Sequence, residues 1–289
     1  MTLPIYRADD DPGPSFVELL HRVGMGPRWE HGAGPNPDQR PVSITHGTTV
    51  VAVRCADGVV MAGDRRATSG HLIAHRSMEK VLPADRHSGV AFAGAAGPAV
   101  EMVKLFQLQL EHYEKVEGGE LSLDGKANQL SQMVRGHLPA AMQGFAVVPL
   151  FAGFDTRRDT GRLFEYDVTG GRYEESDFAA TGSGSLHAST VIKLGNNDAI
   201  STDEAIDLSI NALFQAADED SATGGPDLVR GIYPQVATIT ADGFARLDDG
   251  DVEARFRALL DRLSTARGTN KGAAAKPATT TKKKGGASK

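Results

Sequence analysis

Two runs rich in Val, "TTVVAVRC" and "GVVMAGD", stand either side of "ADG" between Thr48 and Asp64. β-branched runs joined by an Asp-Gly turn pair antiparallel, so this stretch predicts a hairpin and commits the chain to sheet formation from Thr48 onward. What precedes it is different. Residues 1–47 are crowded with Pro, Gly and Asp, and their one helical signal is a short amphipathic patch, "SFVELLHRVG". Trp29, the sole tryptophan, also falls there. The segment reads as a loosely ordered leader, with no basic region followed by an apolar core that would make it a secretory signal.

After the hairpin, "GVAFAGAAG" (89–97) is small and apolar, which suits a strand buried on both faces. In "PAVEMVKLFQLQLEHYEKVEG", Val100, Val103, Phe106, Leu110 and Tyr113 recur at three- and four-residue steps, predicting an amphipathic helix stopped by Gly118-Gly119. "LDGKANQLSQMVRGHLPAAMQG" reads as a second helix, followed by the strands "AVVPLFAGFD" and "GRLFEYDVTG". A Gly-rich turn then opens a helix in "TGSGSLHASTVIKLG", and Ser201 or Thr202 caps another over "STDEAIDLSINALFQAADED". The strand "YPQVATIT", the turn "ADG" and a helix over "DVEARFRALLDRLSTA" close the body. Hairpins and paired helices predict an α+β layered fold, antiparallel sheets between helices, over alternating βαβ units.

Charge narrows the partners. The net value is −6, yet residues 265–289 hold seven Lys or Arg and no acid, leaving 24 basic against 37 acidic residues elsewhere. An acidic body argues against nucleic acid as the main partner. The low-complexity basic tail lacks apolar periodicity and reads as disordered and solvated. No apolar run approaches the ~20 residues of a membrane-spanning helix. A single cysteine, Cys55, excludes an internal disulfide and a multi-cysteine metal site, and fits a reducing cytoplasm.

Several site types are missing from the sequence: there is no G-x-x-x-x-G-K-[ST], no H-E-x-x-H, and no G-x-S-x-G, since "TGSGSL" misplaces its glycines. Gly47-Thr48 alone reads as a turn before a strand, Asp64 alone as a turn former at a strand end, and Lys80 alone as a surface lysine. Taken together, in order and spacing, Gly47-Thr48, Asp64 in "GDRRATSG", Lys80 in "MEKVLP", Gly94, "GSG" at 182–184 and "DSATGG" at 220–225 resemble the proteasome β-subunit family of N-terminal nucleophile hydrolases. The likeness runs from about Thr48 to Ser264. "LEHYEK", "AAMQG" and "SATGGPDLVRGI" look most like actinobacterial members.

That resemblance implies a four-layer αββα sandwich over residues 48–264, a propeptide over 1–47 removed by self-cleavage, and a disordered tail over 265–289. It implies that Thr48 is the nucleophile, freed by cleavage of the Gly47–Thr48 bond, with its own α-amine as base. Asp64 and Lys80 would support it, the Gly94 N–H would form the oxyanion hole, and Ser183, Asp220 and Thr223 would orient the amine; the family often has Ser where this chain has Thr223. Ala67, Met78, Leu82, Phe92 and Ala96 would line an apolar side-chain pocket, with bulky Phe92 limiting its depth. Thr68 and Ala96 would pair with the substrate main chain. Lys80→Ala is expected to leave the fold intact. No cofactor or metal is implied. The implied partners are α subunits, β subunits in a heptameric ring within a four-ring stack, an ATPase regulator acting through the α ring, and unfolded or tagged protein substrates. Two alternatives stay open: a non-catalytic ring subunit, which would lack the Thr/Asp/Lys set, and the simpler two-ring bacterial threonine protease, which usually has a shorter leader and body.

Overall fold

In a computed structural model, residues 47–197 and 200–273 are described, side chains only as far as Thr265. The amphipathic patch, Trp29 and the rest of the leader before Gly47 lie outside them, as does the tail from residue 274.

The Val-rich runs form β1 (Thr49–Cys55) and β2 (Gly58–Gly63). They pair antiparallel inside a five-stranded sheet of order β10-β1-β2-β11-β12, completed by β10 (Phe178–Gly182), β11 (Gln235–Thr240) and β12 (Gly243–Arg246). A second five-stranded sheet has the order β5-β6-β7-β8-β9, from β5 (Val81–Asp85), β6 (Ser88–Gly94), β7 (Val147–Asp155), β8 (Thr160–Tyr166) and β9 (Arg172–Glu175). A small hairpin of β3 (Ala67–Ser69) and β4 (Leu72–His75) stands apart. Among the described residues, five helices cover the sheets: α1 (Ala96–Glu117), α2 (Leu123–Gly136), α3 (Ser185–Gly195), α4 (Thr202–Glu219) and α5 (Asp249–Ala273).

The alternation of side chains along β1 explains the layering. Val51 and Val53 pack with Ile192, Ile210, Leu213 and Phe256 from α3, α4 and α5. Val50 and Ala52 face the other way, onto Leu150, Ala152 and Leu163 of the second sheet. That sheet's far face, with Val90, Phe92 and Phe151, packs on Ala99, Phe106 and Leu130 of α1 and α2. Three apolar interfaces thus separate four layers, helix–sheet–sheet–helix, and both sheets are buried on both faces. The αββα architecture follows the expectation from sequence.

Local boundaries differ from it in instructive ways. The small-residue strand ends at Gly94, and Ala96 already opens α1 behind Ala95. The second helix stops at Gly136. Pro139, which has no N–H to donate and whose ring would collide with the carbonyl four residues back, falls in a separate turn, Leu138–Ala140. A π-turn over Ala141–Phe145 follows, with Gly144 at φ 95°. Ser201 caps α4 through a full capping box with Glu204, as its sequence suggests. The last helix continues to Ala273, past residue 265 where the tail was expected to begin.

Candidate active site

Strand register assembles the site. Thr49 pairs with Gly182 of β10, and Val50 with Gly63 of β2. The start of β1 therefore lies between the ends of β2 and β10. Thr48, Asp64 and Ser183, each one residue beyond those paired positions, are delivered to one end of the sheet.

Asp64 is fully buried and saturated with donors. Its Oδ1 accepts from the Thr49 N–H (2.9 Å) and the Lys80 ammonium (2.7 Å), and its Oδ2 from the N–H groups of Arg66 (2.8 Å) and Gly224 (2.8 Å). Lys80 is 1% exposed and also donates to the Arg66 carbonyl at 2.5 Å. Burial pulls the Lys80 ammonium below the ordinary lysine range; the Asp64 carboxylate opposes this and the Arg66 cation adds to it. The sequence reading of Lys80 as a prop for the nucleophile alone needs correction on stability: with no solvent on either partner, Lys80→Ala would strand a buried carboxylate.

Thr48 is 5% exposed, and its hydroxyl donates to the Gly47 carbonyl at 2.7 Å. The reactive-type oxygen thus sits on the peptide group that precedes it. The Gly47 N–H donates to Thr68 Oγ1 at 3.2 Å. A Cβ on Gly47 would come within 1.8 Å of the Ala222 Cβ, so glycine is the residue that lets the chain pass here.

A second network backs Thr48 from the β10 side. The Ser183 N–H donates to the Thr48 carbonyl (2.9 Å), and its hydroxyl to Asp220 Oδ2 (2.5 Å). Thr223, fully buried, donates to the same oxygen (2.6 Å). Its proton is committed there, so at 2.6 Å it accepts from the Thr49 hydroxyl, whose oxygen in turn accepts from the Gly184 N–H (3.1 Å). Burial raises the Asp220 carboxyl, but the Ser183 and Thr223 hydroxyls outweigh it and hold it below the usual carboxylate range.

Gly94 ends β6 at φ 105°, a left-handed value, and a Cβ there would meet the Ala146 carbonyl oxygen at 2.1 Å. The next N–H, of Ala95, donates to that same carbonyl at 2.8 Å. Of the expected pocket residues, Met78 and Leu82 are half-buried and pack on the core that contains Phe92, where Val100 joins them. Ala67 and Ala96 are half-buried. Ala96 lies in the first turn of α1, where N–H groups have no partner within the helix. Phe92 is 2% exposed and is a core side chain.

Sequence reasoning did not single out Thr49, Arg66, Gly224 or Gln235. The first three act through main-chain groups or a second hydroxyl, which carry no spacing signal. Gln235 had one: it is a lone amide opening the apolar strand "QVATIT".

This sandwich, with a threonine held against its own preceding peptide bond at the start of the first strand, is the layered fold of the N-terminal nucleophile hydrolases. The family model described as proteasome subunit matches residues 44–229. The chain is 52% identical over 271 residues, 94% of its length and 97% of the other's, to a proteasome subunit beta of Acidimicrobium ferrooxidans. A proteasome subunit beta of Streptomyces griseus is 57% identical over 226 residues, covering 78% and 80% of the two chains. One from Stackebrandtia nassauensis is 53% identical over 251 residues, 85% and 89%. The chain belongs to the proteasome β-subunit family, whose activity is that of a threonine protease.

Proposed function

We propose that this chain is a peptidase-bearing subunit, a threonine endopeptidase made by its own self-cleavage at Gly47–Thr48. The observation that carries the reading is the Thr48 hydroxyl at 2.7 Å from the Gly47 carbonyl oxygen, beside the buried Lys80–Asp64 pair. The hydroxyl gives up its proton and attacks the Gly47 carbonyl carbon. The Gly47–Thr48 C–N bond breaks, the nitrogen takes a proton, and an ester to Thr48 Oγ1 remains. Water then hydrolyses the ester, releasing residues 1–47 with a new carboxylate and restoring the hydroxyl.

Before cleavage the Thr48 nitrogen is an amide and cannot serve as base. The basic group nearest in role is Lys80, which burial makes easier to deprotonate. After cleavage the α-amine, with an ordinary pKa of about 7.7–8.0, takes that role, and Lys80 as a cation favours its neutral form. The same hydroxyl then attacks a substrate carbonyl, with the Gly94 N–H as the oxyanion donor and Ser183, Asp220 and Thr223 orienting the amine. Thr68 and Ala96 hold the substrate main chain, and the apolar surround of Met78 and Leu82 takes its side chain.

Family membership supports assembly with α subunits in a proteasome particle. We further propose heptameric β rings within a four-ring stack, an ATPase regulator acting through the α ring, unfolded or tagged proteins as substrates, and a cytoplasmic site of action. Among the described residues, no helix is long and apolar enough to cross a membrane. The test is Thr48→Ala in particles co-expressed with α subunits. Peptide hydrolysis should fall on the order of 10⁴-fold or more, with residues 1–47 retained. Activity within tenfold of the parent would remove Thr48 from the role.

A further inference from the structure

Gln235 is 2% exposed and opens β11, paired opposite Gly63, the residue before Asp64. Its side chain leaves its own sheet and reaches the edge strand of the other. Oε1 accepts from the N–H groups of both Lys80 (3.0 Å) and Val81 (3.1 Å), and Nε2 donates to the Val81 carbonyl (2.5 Å). β5 is an edge strand, bonded to β6 on one side; there the Lys80 carbonyl accepts from Phe92 N–H at 3.2 Å. On the open side Gln235 supplies what a neighbouring strand would.

We infer that Gln235 is a positioning residue for the proposed reaction: it clamps the Lys80 main chain to the strand end that carries Asp64, and so sets where the Lys80 ammonium stands relative to Thr48. This rests on the reading of Thr48 as nucleophile. A primary carboxamide suits the task because one end accepts two N–H groups while the other donates to a carbonyl. Glutamate keeps the acceptors, but its second oxygen would face the Val81 carbonyl, and it adds a negative charge at the Lys80 backbone. Methionine matches the length and offers neither end. The charged groups already acting on Lys80 are Asp64 beyond β2, Arg66 in the following turn, and Asp220 beyond α4.

The experiment compares Gln235→Met, Gln235→Glu and Thr48→Ala with the parent, as whole particles co-expressed with α subunits. Turnover of an apolar fluorogenic peptide is normalised to the amount of free Thr48 N-terminus. A misplaced supporting group costs on the order of 10- to 100-fold, so Gln235→Met should lower kcat by about that factor with KM within about threefold. The added charge in Gln235→Glu stabilises the protonated Thr48 amine, so the acidic limb of its kcat profile should move to higher pH. A residue that merely holds the fold would lower the yield of particles and leave kcat per active site and the pH limb unchanged; that result overturns the inference. If Gln235→Met does not assemble, the limb of Gln235→Glu decides. Should Thr48→Ala stay active, the nucleophile reading fails first; if it is dead while both Gln235 variants match the parent, the clamp alone fails.

Discussion

Of the cations buried among the described residues, Arg162 and Lys80 are treated by physics in opposite ways. Arg162 of β8 is 5% exposed and donates to Asp124, Asp155 and Glu174, with the Phe164 ring 5.1 Å from its guanidinium carbon. Two of those carboxylates are nearly half exposed. The hydrogen bonds that Glu174 and Asp124 accept from it push the guanidinium further above its usual range, and the same bonds hold Asp124 down to about 2. Arg162, Asp124 and Glu174 each become more firmly what they already were. Lys80 has one carboxylate partner, is almost fully buried and has a lowered affinity for its proton. The first cluster fastens α2 to the second sheet. The second lowers the Lys80 affinity for its proton, as burial of a cation beside a single carboxylate does, and so suits the proton-handling role proposed for it.

Breaking the second cluster should have the largest effect. Lys80→Ala should cut peptide hydrolysis by on the order of 10³-fold or more and, by stranding Asp64, cost about 3–5 kcal/mol of stability. Chemical denaturation and kinetics on one preparation measure both. Lys80→Met with Asp64→Asn removes the unpaired charge and should recover part of the stability, limited because the new amide NH2 meets a backbone N–H that Asp64 accepted from, and none of the activity. Arg162→Met should do the reverse: a loss of about 1–3 kcal/mol, limited because water reaches two of its three partners, with kcat unchanged. A drop in kcat with Arg162→Met, seen in particles that assemble normally, would erase the distinction between the clusters.

A smaller effect is expected at the substrate side chain. Burying an apolar side chain gains roughly 1.5–3 kcal/mol, so fluorogenic peptides ending in Leu, Tyr or Phe should be cut at least ~10-fold faster than those ending in Arg or Glu. Half-buried Met78 is the better probe of pocket depth: Met78→Ala should raise the rate for large aromatics relative to small residues. Phe92→Ala would also lose about 3–5 kcal/mol of core packing. A preference for Arg or Glu would show that the pocket positions are misassigned.

The smallest is a pH effect on the fastening cluster. The Asp124 carboxyl sits below its usual value in the folded chain, so its contribution is present above pH 3.8 and lost as pH falls toward about 2. Asp124→Asn should flatten the parent's stability profile in that window and leave it unchanged near neutrality.

The two clusters also differ in how far the sequence revealed them. Thr48, Asp64 and Lys80 stood out in the sequence only through their joint order and spacing in the family resemblance; Thr48 and Asp64 also flank the Val-rich runs of β1 and β2, whereas Lys80 precedes a strand the sequence did not show. The layering of sheets and helices was legible from the Val-rich hairpin and the paired helices. Arg162, in "GRLFEY", looks like any strand arginine, because its three partners come from distant segments. β3, β4, β5, β9 and β10 escaped notice: β4 is exposed throughout, β5 contains Pro83, tolerated at a sheet edge, and "RYEE" and "FAATG" are too polar or too short to show a period. Gln235 offered only the signal of a lone amide opening an apolar strand; that its bonds go to main-chain atoms of another sheet no sequence pattern shows.

The central claim is that Thr48 becomes an N-terminus by its own chemistry. Intact mass and N-terminal sequencing of the chain from active particles test it directly. The account predicts a chain beginning at Thr48 in the parent and one beginning ahead of it in Thr48→Ala. Active particles whose chains still carry residues 1–47, or begin anywhere other than Thr48, would contradict it.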